Sequence, residues 1–335
     1  MKAARPRAFP SLLKVAFANP EVFMDLGQVC RRVLAVLLLL LLAGCVTVKV
    51  DLFEEQKPLK EKVISGYGRD KILLVDISGV IMETRHRSLL GLGAVTTPGY
   101  VKEVLDKAAK DKHIKALVLK INSPGGTVSA ADIIHHELLN YKKETGVPVV
   151  ACLMGLATSG GYYLAQAGDT IVAHPSGITG SIGVLAMKLN IKGLMDKVGV
   201  DSEMVKSGQW KDFWSPFRPA TPEEKQMMQE VINNYYQGFV DVVAQGRKMD
   251  TREVRRVADG RIYTATQAKD LGLVDSLGYL DDAIKIAQKQ AGLEEAKVVR
   301  YHRPDSYRPN IYSQIPDFSW MVTPQFLYMW WPGEL

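Results

Sequence analysis

Four short stretches of this 335-residue chain combine small, hydroxyl-bearing and basic residues in ways that suit acyl transfer. The central one is Ala157-Thr158-Ser159-Gly160-Gly161-Tyr162-Tyr163, which reads as a strand end running into a helix. A serine at that position commonly serves as an N-cap. Here two glycines and an apolar continuation follow it, so the Gly160 amide can face an oxyanion formed beside the Ser159 hydroxyl. Ala157 stands where the hydrolase elbow GxSxG needs glycine, so that motif is absent. A second stretch, Ile121-Asn122-Ser123-Pro124-Gly125-Gly126, occupies the same strand-to-helix context without a GxxxxGK[ST] or GxGxxG pattern. It reads either as a backbone that approaches a ligand closely or as a tight turn. The others are Ile178-Thr179-Gly180-Ser181-Ile182-Gly183-Val184 and Lys206-Ser207-Gly208-Gln209-Trp210-Lys211-Asp212.

A serine nucleophile needs a base. The six histidines are His86, His113, His135, His136, His174 and His302, and none stands in a triad context. His135 and His136 read as packed or solvated helix residues. A lysine can replace histidine where burial disfavours its ammonium form, because the neutral amine then accepts the serine proton. Lys211 stands apart through the Gly208 turn and through Trp210 and Phe213, which are bulky enough to exclude water.

The elements that must position these residues alternate. Residues 72–77, 116–121, 148–153, 170–174 and 182–187 read as strands, with helices over 99–110 and 128–144 and another opening near Ser159. Near-continuous apolar strands separated by helices of this length predict βα crossovers and a parallel sheet covered on both faces. After residue 220 the pattern is helical. Thr221-Pro222-Glu223-Glu224 combines an N-cap, a first-turn proline and acids at the positive end of the helix dipole, and leads a helix to about residue 247. Further helices are predicted from Asp250-Thr251, from Thr264 and over 280–291. From Tyr301 onward the chain is proline- and aromatic-rich and reads as no regular element.

Of the formal charge of +6, +4 lies in the first 32 residues, where six basic residues face Glu21 and Asp25. The remainder has no basic stripe, which excludes nucleic acid as a partner. Three cysteines without CxxC spacing predict neither a disulfide framework nor a metal site, and no cofactor is implied. Cys152, inside the run Val149–Met154, reads as a small buried hydrophobe. The leader is distinctive. Arg31-Arg32 precedes the apolar run Val33–Ala43, which ends in Leu42-Ala43-Gly44-Cys45. This is the layout of a secretory signal, and the run is short of the ~20 residues a spanning helix needs. The Leu-Ala-Gly-Cys quartet resembles a bacterial lipobox with Cys45 as the lipidated residue; an uncleaved membrane anchor is the other reading. Met24 would begin a leader of ordinary length. Either way the rest of the chain is expected outside the cytoplasm, tethered at its N-terminus.

Taken in order, Asn-Ser-Pro-Gly-Gly, Ala-Thr-Ser-Gly-Gly-Tyr-Tyr, Thr-Gly-Ser-Ile-Gly-Val and Lys-Ser-Gly-Gln-Trp-Lys-Asp resemble the signal peptide peptidase A family of serine proteases. The segments Ala258–Tyr263 and Ala268–Asp275 fit as well, so the likeness covers roughly residues 70–290. The resemblance implies an α/β, Clp protease/crotonase-like fold of repeated βα crossover units with a C-terminal helical layer. It implies Ser159 as nucleophile, Lys211 as general base, Ser181 holding that base, and the Gly126 and Gly160 amides as the oxyanion hole. Thr158 departs from the alanine common in the family.

The domain plan is then a leader over 1–45, a linker over 46–68, a peptidase domain over 69–295 and an irregular tail over 296–335. The likeness is to the family's half-length form. That implies a ring-like homo-oligomer, an octamer by family likeness, with the dyad completed between protomers. The implied substrates are cleaved signal peptides and other extended apolar peptides, at the inner membrane of a bacterial envelope. Two other functions fit parts of the pattern. A crotonase-like acyl-CoA enzyme would use the same amide pair, but an export leader separates it from cytoplasmic coenzyme A. A non-catalytic envelope scaffold would need no nucleophile.

Overall fold

The computed structural model describes Arg31, residues 58–83 and 95–303, and the backbone of 326–329. Cys45 and the apolar run before it lie outside the described residues. The chain divides into two units, residues 1–56 and 57–335, and all elements named here belong to the second.

The side-chain period of two along the central strands builds two cores from one sheet. Leu73, Val75 and Ile77 of β2 (Lys71–Ser78) join Leu117, Leu119 and Ile121 of β5 (Ile114–Ser123) on one face. Behind that face pack α1 (Pro98–Ala109), α2 (Val128–Thr145), α3 (Gly160–Ala165), α5 (Pro222–Arg247) and α6 (Thr251–Val257). The alternate residues Ile72, Leu74, Ala116 and Val118 point the other way, toward Ala283 and Ala287 of α8 (Leu280–Gln290). Burial on both faces explains why these strands read as unbroken apolar runs. Cys152 belongs to the second core, where burial pushes its thiol up to about 12 and leaves it an inert hydrophobe.

The main sheet runs in the order β1 (Lys60–Ser65), β13 (Lys297–His302), β2, β5, β7 (Val149–Thr158), β8 (Thr170–Ala173) and β12 (Ser276–Leu277). Every pair is parallel except β1 with β13. Strand β7 is long enough to serve two neighbours. Its residues 150–153 pair with β8, and its residues 156–158 pair with β9 (Ile178–Gly180). The sheet therefore forks at the end of β7 that leads into Ser159. Strand β11 (Ile262–Thr264) closes the far side of β9. A second sheet has the order β10 (Leu185–Ala186), β14 (Phe326–Met329), β6 (Gly125–Thr127), β3 (Val80–Ile81) and β4 (Val95–Thr96).

The predicted helix starts are those observed. Thr221 caps α5 in a reciprocal box with Glu224, with Pro222 in the first turn. Three sequence expectations change. Residues 60–65, read as part of a linker, form edge strand β1. The single strand expected over 182–187 is divided, because Gly180 at φ 87° and Ser181 at φ 51° turn the chain out of the ladder. Only Leu185–Ala186 is extended thereafter, in the second sheet. Last, the helical layer is interleaved with strands, since β11, β12 and β13 return the chain to the main sheet.

Candidate active site

Ser159 joins β7 to α3 with φ 54° and ψ −117°, a backbone conformation few residues other than glycine adopt. Holding it there costs about 1–3 kcal/mol, which the surrounding ladder must offset. Two backbone bonds do so: the Ser159 amide donates to the Gly180 carbonyl at 2.8 Å, and the Ser159 carbonyl accepts from Tyr163 at 2.8 Å. The hydroxyl does not cap the helix. The residue is 1% exposed, and its Oγ has no hydrogen-bond partner among the described residues. A strained, buried, unpartnered hydroxyl at a strand-to-helix turn suits a nucleophile, not a cap.

The Gly125-Gly126 turn lies against this serine. Thr158 Oγ1 donates to the Pro124 carbonyl at 3.1 Å, and Ser123 stands opposite Ala157 in the β5–β7 ladder. Ser123 Oγ bonds the Gly79 carbonyl at 2.6 Å and accepts from the Gly125 amide at 3.0 Å, fixing the turn from inside. Glycine is required at 126, because a Cβ there would sit 1.8 Å from the Ile81 carbonyl oxygen. Gly126 and Gly160 are thus both buried beside Ser159, each presenting only backbone. Two amides so placed suit a hole for an oxyanion developing next to Oγ. Ser181, 6% exposed, follows Gly180 across the β7–β9 ladder from Thr158, and its amide donates to the Arg261 carbonyl at 2.8 Å.

Lys211 is placed differently. It is exposed, in a run of turns over 207–214, with its amide bonded to the Gly208 carbonyl at 3.1 Å. Trp210 beside it is 40% exposed, so the water exclusion expected from the neighbouring aromatics does not arise within one chain. Ser159 and Lys211 are not hydrogen-bonded in the single chain.

The sequence offered no sign of what secures the Lys211 loop. Arg218 Nε donates to Asp212 Oδ2 at 2.8 Å, while Arg218 Nη1 and Nη2 fork onto the Glu224 carboxylate at 2.9 and 2.6 Å. Glu224 has no exposed surface. Hydrogen bonds from Arg218 and Lys206 hold the Asp212 carboxyl well below the usual range, and the Arg218 fork lowers that of Glu224. The residue after Lys211 is thereby fastened to the first turn of α5. Glu224 had been legible only as a capping acid.

His135 is packed, as its place on a helix predicts. It is 8% exposed and meets the Tyr163 ring edge-on at 5.1 Å. Burial lowers its imidazole to about 4. Among the described residues no helix is long and apolar enough to cross a membrane.

Comparison with known proteins shows the family and the fold. Residues 141–294 match the profile of peptidase family S49, and residues 94–175 match that of Clp protease. An Enterococcus faecium protein provisionally named as signal peptide peptidase SppA is 38% identical over 242 residues, 72% of this chain and 70% of the relative. Protease 4 of Salmonella typhi is 36% identical over 67% of this chain, which spans only 35% of that longer protein. The chloroplastic serine protease SPPA of Arabidopsis thaliana is 33% identical over 74% of this chain and 37% of its own length. The chain belongs to peptidase family S49, the signal peptide peptidase A family, and is a serine peptidase with a Clp protease-like α/β fold.

Proposed function

We propose that the chain is a membrane-tethered endopeptidase that cleaves extended apolar peptides, cleaved signal peptides among them, with Ser159 and Lys211 as its dyad. The observation that carries this reading is the Ser159 hydroxyl, which is buried, strained and unpartnered beside two amide-bearing glycines. Neutral Lys211 takes the proton as Oγ attacks the scissile carbonyl, and the Gly126 and Gly160 amides receive the oxyanion. The resulting ammonium returns the proton to the leaving amine, and water then hydrolyses the acyl-enzyme. Ser181 orients the lysine.

Because Lys211 is exposed in the single chain, the dyad is completed between adjacent protomers of a ring. Apolar surface supports such an interface. Leu194, Val205 and Trp210 are exposed on the segment around the lysine, and Met227, Val231 and Tyr235 repeat at a spacing of four along one face of α5. The tether is the leader, with lipidated Cys45 or an uncleaved anchor, and the catalytic unit stands outside the inner membrane of a bacterial envelope.

The test is hydrolysis of a fluorogenic apolar peptide by the full chain in detergent. Ser159→Ala and Lys211→Ala should each lose at least about a thousandfold in kcat/KM, while Lys206→Ala stays active. The wild-type rate should rise with pH above neutrality, because the base acts only unprotonated. Activity that survives Ser159→Ala would sink the mechanism.

A further inference from the structure

The segment that leaves the nucleophile turn is bonded, within one chain, to the loop that carries Lys211. At its start the Gly180 carbonyl accepts the Ser159 amide, and Lys188 follows just past β10. Leu185 and Met187 pack with Met82, Val80 and Val95, which seats the segment on the second sheet. Lys188 reaches instead to the loop. Its Nζ donates to the Arg218 carbonyl at 2.9 Å and lies 5.5 Å from the centre of the Trp214 ring. A backbone bond from the Ile191 amide to the Pro216 carbonyl, at 2.9 Å, runs beside these contacts.

Trp214 shows what the ammonium holds. It lies three residues beyond Lys211 and adopts φ 60°, a left-handed conformation that bulky residues rarely occupy. Its indole nitrogen is buried with no hydrogen-bond partner among the described residues, so no such bond from its own side chain fixes the turn. The ring is met by Phe213, stacked at 5.9 Å, and by the Lys188 ammonium. A cation drawn partly out of water over an indole makes the stronger kind of cation–π contact. Lys188 is half-buried, and burial lowers its ammonium from the usual range, with Glu224 opposing and Arg218 assisting. An amine desolvated in this way depends on the loop partners it has.

We infer that Lys188 is a positioning residue for Lys211 of its own chain, pinning the Lys211 loop, through Trp214 and the Arg218 carbonyl, to the segment that begins beside Ser159. This rests on the assignment of Ser159 and Lys211 as a dyad shared between protomers. Each protomer thereby sets the aim of the base that it lends to its neighbour. The contact is distinct from the Arg218 side chain, which bonds Asp212 and Glu224 and leaves its carbonyl to Lys188. The Ile191 bond remains when the ammonium is removed, so loss of Lys188 loosens the loop without detaching it.

The experiment uses the full chain and the fluorogenic peptide. Lys188→Met keeps an unbranched apolar stem and removes the charged donor, whereas Lys188→Arg keeps a cation. Lys188→Met should lower kcat about tenfold with KM little changed, because the loop is misplaced while the peptide groove beside Ser159 keeps its walls. Lys188→Arg should recover most of that loss. Mosaic rings then locate the effect. A Lys211→Ala chain can supply only Ser159 and a Ser159→Ala chain only Lys211, so a reassembled mixture works through one kind of site. Lys188→Met placed in the Ser159→Ala chain should lower the restored activity about tenfold, and placed in the Lys211→Ala chain it should add no loss. Unchanged kcat in the single variant, a loss that Lys188→Arg does not recover, or equal losses from both placements overturns the proposal. A mixture that never regains activity overturns the shared dyad instead, and Lys188 is then upheld or overturned by kcat and its recovery alone.

Discussion

Two buried polar residues near the site carry opposite consequences. The Ser159 hydroxyl has no partner among the described residues, as its proposed role as nucleophile requires, while His135 is buried neutral between helices. The groups around His135 are Asp132, His136 and Lys142, with Tyr163 across the ring. Its folded-state value of about 4 lies below the ordinary 6.5. The unfolded chain therefore binds a proton that the folded chain refuses between those limits, and stability falls as pH drops through that window. Wild type should lose about 2 kcal/mol from this source between pH 7.5 and pH 5. In His135→Leu the urea-derived difference between the two pH values should shrink by that amount; an undiminished difference would place the acid sensitivity elsewhere. The carboxylates depressed in the folded state, Glu224 and Asp275 among them, add stability that is present at neutral pH and is lost only as pH falls through and below the ordinary carboxylate range.

Among the elements, the Lys211 loop depends on Arg218. Arg218→Ala should lower kcat about ten- to a hundredfold with little change in KM, because the loop loses its bond to α5 while the groove is untouched. It also strands the buried Glu224 carboxylate, so the melting temperature should fall. Arg218→Ala with Glu224→Gln should recover the melting temperature without recovering kcat, and recovery of both would show Arg218 to be merely structural. How legible each element was follows from where its stability comes from. Strands β2, β5 and β7 announced themselves because both faces are buried, and α5 because its cap is local chemistry. Strands β1, β13 and β14 exist through partners far along the chain; Lys60-Glu61-Lys62 carries no strand signal of its own. The turn at Ser159 and its flanking glycines, the proposed nucleophile site, were readable in the same way as α5, from contiguous residues. Lys211 stood out in sequence through its neighbours and its motif, and it is exposed in the structure.

At the scale of the assembled molecule, a dyad shared between protomers makes a prediction that no single-chain dyad can satisfy. Ser159→Ala and Lys211→Ala proteins, each inactive, should regain activity when dissociated, mixed in equal amounts and reassembled. Random pairing restores both residues at about a quarter of the sites. Activity near that fraction of wild type supports the shared site, and a persistently inactive mixture excludes it. The arrangement of β13 has a consequence for how such a molecule is made. This strand sits between β1 and β2, so the chain's early strands meet across a strand drawn from residues 297–302. Native pairing there waits for nearly the whole described polypeptide to be synthesised, a separation in sequence that also slows folding. A nascent chain keeps that edge open, and β13 closes it only once residues 297–302 have been delivered.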